Sequence, residues 1–218
     1  MRLGSISLDT LRNELQAAGR GLDSTPLATP IDEGTGEASA GAASPTDAAV
    51  LIAAFEELGE ARIVLTRRAT GMRRHGGEVA FPGGRLEPGE SPLAAALREA
   101  HEEVGLEPAD VEPVAWLRPL VTFSAGSVIR PFVATLSARP ALSVQVSEVD
   151  RAFDVSLIEL LAEGVFREER WPVPERAGSD EEGYFPIFFF EVAGETIWGA
   201  TARILTELCS LVVGAPLP

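Results

Sequence analysis

Residues 83–106 read GGRLEPGESPLAAALREAHEEVGL: a glycine-rich turn, a loop, and one helix with a concentrated set of carboxylates. Ser91 is placed to cap the helix, and Pro92 suits the first helical position, where its missing N–H would be unpaired anyway. Leu93, Leu97, Ala100 and Val104 form an apolar stripe at helical spacing. Gly105 supplies the stop, because glycine enters the left-handed region without a steric penalty. Glu99, Glu102 and Glu103 stand at i, i+3 and i+4, which puts their Cβ atoms on one side of the helix, about 5–6 Å apart. Three like charges so placed weaken an isolated helix. A hard divalent cation such as Mg²⁺ or Mn²⁺, which prefers carboxylate oxygen and water, removes that penalty. Glutamates on a helix are otherwise ordinary solvated surface, so the surrounding frame has to decide between the two readings.

The frame runs Gly84, five residues, Glu90, seven residues, then Arg98-Glu99-Ala100-x-Glu102-Glu103-x-Gly105-Leu106. It resembles the Nudix hydrolase signature at every constrained position. The resemblance implies an α/β (α+β) Nudix fold, a mixed β-sheet sandwich between helices, and hydrolysis of a diphosphate with Mg²⁺ or Mn²⁺. It implies Glu99 and Glu103 as the principal metal ligands, with the Gly83 carbonyl reaching the same ion. Glu102 is then a further ligand or the base that activates water. In the wider family the base often comes from a later loop, and Glu148, in VSEVD, is the candidate here; its ordinary alternative is a plain loop acid. Arg98 completes the expected catalytic set with Glu102 and Glu148. Its expected part is to pair with Glu90 or a neighbouring glutamate and fix its rotamer.

The chemistry agrees with that frame. When water attacks a diphosphate, charge spreads over the nonbridging and leaving oxygens. Divalent ions on carboxylates neutralise that charge and lower the pKa of bound water.

The 218 residues suit one domain of ordinary size plus some extra, and 45% hydrophobic residues are enough for a core. A net charge of −15 argues against a nucleic-acid surface, which needs basic patches. It also means that an anionic substrate must be held by local positive charge or metal. Cys209 is the single cysteine, so no intrachain disulfide can form; it reads as core filler. No secretory leader follows Met1, and no apolar run approaches the ~18 residues of a membrane span. A cytoplasmic enzyme is expected, with a small-molecule, CoA-like dinucleotide as its partner, no nucleic acid and no membrane; a homodimer is left open.

Along the chain, residues 8–18 carry Leu8, Leu11 and Leu15 on one helical face. Residues 21–45 are rich in Gly, Ala, Ser, Thr, Pro and acids, too poor in apolar surface to offset ordering entropy. Residues 1–45 thus read as an N-terminal extension, a short helix plus flexible linker, and residues 46–218 as the Nudix domain. Residues 48–55 and 61–67 predict a hairpin of buried strands. Strands follow at 78–81, 111–117 and 128–136, the last with Pro131 at its middle, which suits an edge or a bulge. A weaker strand is expected at 142–146, and a short helix near 154–161 capped by Asp154 or Ser156. Strands at 170–171 and 184–192 bracket a loop, and a helix at 201–211 closes the chain. Nothing here has the βαβ series or glycine fingerprint of a dinucleotide-binding Rossmann fold.

A second motif lies just upstream of the helix: Val64-Leu65-Thr66-Arg67-Arg68-Ala69-x-x-x-Arg73-x-x-x-Gly77-x-x-x-Phe81-Pro82-Gly83-Gly84. It resembles the extra signature of the coenzyme A pyrophosphatase branch, with Val64 for a leucine and Glu78 where glutamine is common. Residues 197–205 resemble that branch's C-terminal stretch. The resemblance covers about residues 48–212 and implies cleavage of CoA, or a derivative, into 3′,5′-ADP and 4′-phosphopantetheine or its acyl form. Arg67, Arg68, Arg73, Arg74 and His75 gather positive charge in nine residues of an acidic chain, and arginine suits phosphate geometrically. Arg68 and Arg73 are the first candidates to read substrate phosphates, including the 3′-phosphate, and Arg67 the next. Phe81 is a candidate to stack on the base, or else core. Two other readings remain: a broader hydrolase acting on ADP-ribose or NADH, and a catalytically silent binding module. The retained Glu99, Glu102 and Glu103 argue against silence.

Overall fold

The computed structural model describes residues 5–22, 31–32, 47–72, 75–122, 127–172 and 183–217. In chain order the elements are α1 (Leu8–Ala17), β1 (Ile31–Asp32), β2 (Ala48–Glu57), β3 (Glu60–Arg68), β4 (Val79–Ala80), β5 (Gly83–Arg85), α2 (Pro92–Val104), β6 (Val111–Trp116), β7 (Leu120–Val121), β8 (Val128–Leu136), β9 (Val149–Ser156), α3 (Leu157–Leu160), β10 (Phe166–Pro172), β11 (Tyr184–Val192), β12 (Glu195–Trp198) and α4 (Gly199–Val213). β1 to β9 form one mixed sheet, and β10–β12 a second, antiparallel one.

β2 is the centre. It pairs in parallel with β8 and antiparallel with β3, but only at its far end, Ala54–Glu57 against Glu60–Ile63. Beyond that point the hairpin splays. The chain through β4 and β5 fills the wedge, β4 on Thr66 and Arg67 of β3 and β5 on Ala48–Val50 of β2. This puts Gly83 and Gly84 in the sheet itself.

Five consecutive β2 residues, Leu51 to Phe55, are buried, because each face of the sheet is covered. Leu51, Ala53 and Phe55 pack with Ala95, Ala96, Ala100 and Val104 of α2. Ile52 and Ala54 face the opposite layer, with Leu11 and Leu15 of α1, Leu205 and Leu208 of α4, and Phe190 and Ile197 of the second sheet. The N-terminal helix therefore folds back onto the body. Ser7 caps it, Ala61 N–H donates to Ile6 O at 2.6 Å, and Arg12 pairs with Glu112 and Thr135. Burial of a leucine side chain contributes about 1.5–3 kcal/mol, so Leu11 and Leu15 make α1 a real part of the core.

Two local expectations are corrected, and one choice between two caps is decided. Pro131 lies neither on an edge nor at a bulge: β8 has β2 on one side and β6 and β7 on the other. Leu117 N–H donates to the Pro131 carbonyl, so the missing Pro131 N–H faces the break between β6 and β7, where no ladder bond is lost. The register shift falls on β6, between Pro113 and Ala115. Residues 142–146 form no strand. Their N–H groups bond the last turn of α2 instead, Ser143 to Val104 O and Gln145 to Glu103 O, both at 2.9 Å. Of the two expected caps for α3, Ser156 takes the role, in a capping box with Glu159.

Within the expected linker, only Gly21, Leu22, Ile31 and Asp32 are described, and Ile31–Asp32 pairs in parallel with Leu120–Val121. The rest of residues 21–45 and most of the loop before β11 lie outside the described residues. No helix among the described residues is long and apolar enough to cross a membrane.

Candidate active site

Ser91 Oγ accepts from Ala94 N–H, and Gly105, at φ +72°, closes α2. The helix buries its alanine face on β2 and turns Glu99 and Glu103 toward Gly83 and Gly84, which form strand β5 rather than the expected turn. At Gly84, an added Cβ would stand 2.5 and 2.6 Å from the two carboxylate oxygens of Glu99. Only glycine leaves that space. Gly83 has φ +151°, and its N–H donates to Glu103 Oε2 at 3.1 Å. Glu103 is 3% exposed, and its other oxygen lies 3.5 Å from Arg68 Nη1.

Arg98 organises the outer side. It donates to Glu90 at 2.9 and 3.1 Å, to Glu99 at 2.9 Å, to Glu102 at 3.1 Å and to the Arg85 carbonyl at 3.1 Å. The guanidinium holds Glu90 below the usual carboxylate range and is itself pushed up, chiefly by Glu90. Glu102 is the exposed member of the trio at 57%. Glu148 is exposed as well, in a turn whose backbone is tied to both sides of the site. Its carbonyl accepts from Ala69 N–H at 2.8 Å, one residue past Arg68, and its N–H donates to Gln145 O.

The electrostatics mark the site. Burial is the first cause that pushes Glu103 up to about 7; Gly83 N–H and Arg68 oppose it, while Glu99 and Glu148 add to it. Glu99 is raised too, first by burial and then, against the pull of Arg98, by Glu102 and Glu148. Carboxylates from α2 and from the loop before β9 therefore repel one another across a partly desolvated space. A hard divalent cation fits this donor set: the donors are all carboxylate oxygen, and their charge is under-compensated. Among the described residues no three acidic, histidine or cysteine side chains already converge on one point. Arg98 holds Glu99 and Glu102, while Gly83 and Arg68 hold Glu103.

The remaining expected residues separate. Arg67 and Arg68 are neighbours on β3 and point to opposite faces. Arg68 meets Glu103, whereas Arg67 reaches Glu195 at 3.5 Å on the α4 side. Phe81 is 2% exposed within the core beneath α4 and offers no ring face to a base. Arg73 and Arg74 lie outside the described residues. His75 pairs with Glu78 at 2.9 Å. Sequence reading did not anticipate the bonds from the 143–148 loop to α2 and Ala69. Residues 142–146, Leu-Ser-Val-Gln-Val, alternate as a strand would, so the local pattern gave no sign of these bonds.

The NUDIX domain model matches residues 45–170. The chain is 35% identical over 179 residues to Nudix hydrolase 22, chloroplastic, of Arabidopsis thaliana, across 79% of this chain and 57% of that protein. It thus spans little more than half the length of the plant relative. To the uncharacterized Nudix hydrolase NudL of Photorhabdus laumondii it is 34% identical over 151 residues, 69% of this chain and 76% of that one. Two solved structures share the fold: a MutT/nudix family protein from Enterococcus faecalis, with a TM-score of 0.52 at 16% identity, covering 80% of this chain and 64% of its own; and a NUDIX hydrolase from Alicyclobacillus acidocaldarius, 0.50 at 17%, covering 78% and 92%.

Proposed function

The chain belongs to the Nudix family, and from that premise we propose that it hydrolyses the diphosphate of coenzyme A or a CoA derivative. The observation that carries the reading is the Glu103 carboxylate, 3% exposed, between Gly83 N–H and Arg68 and within the field of Glu99 and Glu148. Mg²⁺ or Mn²⁺, when bound by Glu99 and Glu103 with Glu102 or the Gly83 carbonyl as further donors, supplies charge neutralisation at the diphosphate and a more acidic water.

The chain's own residues do the rest. Arg98 orients Glu99 and Glu102 and opposes the rise that burial imposes on Glu99. Gly84 leaves room for the Glu99 carboxylate beside β5. Arg68 offers a guanidinium to substrate phosphate beside Glu103, where charge develops. Glu148 or Glu102, both exposed to water, takes the proton of the attacking water. Preference for CoA is supported by the resemblance of residues 64–84 to the CoA pyrophosphatase signature. Arg73, in the same signature, is the remaining candidate for the 3′-phosphate.

The test is a panel of CoA, dephospho-CoA, ADP-ribose and NADH with Mg²⁺ or Mn²⁺, with products identified. The expected result is highest kcat/KM on CoA, release of 3′,5′-ADP and loss of turnover on chelation. Equal rates on ADP-ribose or NADH would establish the broader hydrolase instead. No turnover of any of the four, with folded protein and metal bound, would point to a binding module.

A further inference from the structure

Across the sheet from the carboxylate helix, a pocket of about 450 Å³ opens between the segment after α1, the turn after β6, and α4. One wall is charged. Arg20, 4% exposed, places Nη2 2.6 Å from Glu207 Oε1, and Glu207 is itself 11% exposed. Arg118 comes to the same carboxylate, with its N–H at 3.2 and 3.3 Å and its Nε at 4.0 Å. Two guanidiniums therefore share one carboxylate. Arg20 lies 5.2 Å from the Trp116 ring centre, and its Nη1 is enclosed without a hydrogen-bond partner among the described residues. Burial, the largest cause, lowers the Arg20 pKa; Glu207 opposes this and Arg118 adds to it.

The other wall is apolar: Phe188, Leu211 and Pro216. Arg203 also lines the pocket, its guanidinium 5.2 Å from the Phe188 ring centre. A second pocket, of about 500 Å³, beside Phe55, Arg62, Arg139 and Asp154 makes the contrast. There Glu57, Asp154 and Glu159 answer the Arg62 and Arg139 guanidiniums in a closed ion-pair network.

A buried cation with incomplete compensation favours a further anion. The half-exposed Arg118 presents a second guanidinium at the mouth to receive it, in a chain whose net charge is −15. Arg20 behind it contributes field rather than contact, since its Nη1 is enclosed. We propose that this pocket binds an amphiphilic oxyanion, its carboxylate or phosphate monoester head on Arg118 in front of Arg20 and its apolar body against Phe188, Leu211 and Pro216. The volume falls in the range of small-molecule sites, about 300–1,000 Å³.

The experiment is titration calorimetry on the full chain with octanoate, octyl phosphate and inorganic phosphate, and the same titrations on Arg118→Ala, Leu211→Ser and Glu99→Gln after their folding is checked by circular dichroism. Octanoate or octyl phosphate should bind wild type at one site, and the tighter of the two identifies the head group. Arg118→Ala should weaken that binding about tenfold or more, as expected for one charge-assisted contact. Leu211→Ser should weaken the octyl ligands, and Glu99→Gln should leave binding unchanged. The proposal is overturned if neither octyl ligand binds, or if inorganic phosphate binds as tightly as octyl phosphate. It is equally overturned if Arg118→Ala or Leu211→Ser binds like wild type, or if Glu99→Gln removes binding and so places the ligand at the carboxylate helix.

Discussion

The carboxylate of Glu99 occupies the space in which a side chain at Gly84 would begin: both its oxygens lie within 2.6 Å of where a Gly84 Cβ would stand. A short strand of the sheet and a helical residue fifteen positions later are thereby fitted to each other at one carboxylate. Gly83, next to it, is constrained by backbone instead, since its Cβ would stand 2.6 Å from Val50 Cα.

That difference predicts two distinct phenotypes. In Gly84→Ala the far end of a flexible side chain can move, so the protein should fold and melt near wild type while Glu99 is displaced. The expected loss in kcat is on the order of 10²-fold or more, as when a positioned catalytic group is removed. In Gly83→Ala the β2 backbone cannot yield and φ is unsuited to a side chain, so the melting temperature itself should fall. Melting curves and kcat on both variants decide it; equal stability loss in the two would show that Glu99 cannot move.

Glu103 should make the metal-free protein less stable as pH rises. Its folded pKa is raised to about 7 from an ordinary 4.5. A carboxyl raised in this way contributes stability that is fully present below about pH 4.5 and lost as pH rises through 7. In EDTA, Glu103→Gln should therefore melt higher than wild type at pH 8 and close to it at pH 4.5. A tenfold difference in proton affinity between the folded and unfolded chain corresponds to about 1.4 kcal/mol. A wild-type advantage at pH 8 in EDTA would contradict the burial argument.

Glu148→Gln and Glu102→Gln separate the two candidate bases. With Glu148 as base, its variant should lose about 10²–10⁴-fold in kcat while Glu102→Gln, at an exposed side chain paired to Arg98, loses less than about tenfold. The reverse order would move the role to Glu102. Small losses in both would mean that the metal-bound water needs no protein base.

Arg68 and Arg67 should differ because one faces Glu103 and the other Glu195. Arg68→Ala should cost about 10- to 150-fold in kcat/KM, the equivalent of one charge-assisted contact of about 1.5–3 kcal/mol. Since Arg68 sits beside the Glu103 carboxylate, the loss should be equal on CoA and dephospho-CoA. Arg67→Ala, which loses a partly exposed pair, should change stability by about 0–1 kcal/mol and leave kcat/KM within a few-fold. A selective loss on CoA in Arg68→Ala would reassign that side chain to the 3′-phosphate, the place now left to Arg73→Ala.

Several features of this chain are set by interactions within a few residues, and these were legible in the sequence. The Ser91 cap, the Gly105 stop and the i, i+3, i+4 carboxylates follow from helical geometry alone. The buried run of β2 follows from its unbroken apolar composition. The close backbone approach at residues 83–84 follows from the glycines, but that they form a strand on β2 rather than the expected turn, and what they make room for, does not. Other features depend on contacts between distant residues. Arg67 and Arg68 are chemically alike and adjacent; only the sheet, with α2 on one face and α4 on the other, sends one to Glu103 and the other to Glu195. Phe81 became core because α4 covers it, and Pro131 is tolerated mid-sheet because the neighbouring strand breaks opposite it. Glu148 reaches the field of Glu99 and Glu103 only because residues 143–148 bond to the end of α2. The Arg20–Glu207 pair joins residues 187 positions apart, a meeting fixed by the packing of α1 and α4 and by no local pattern.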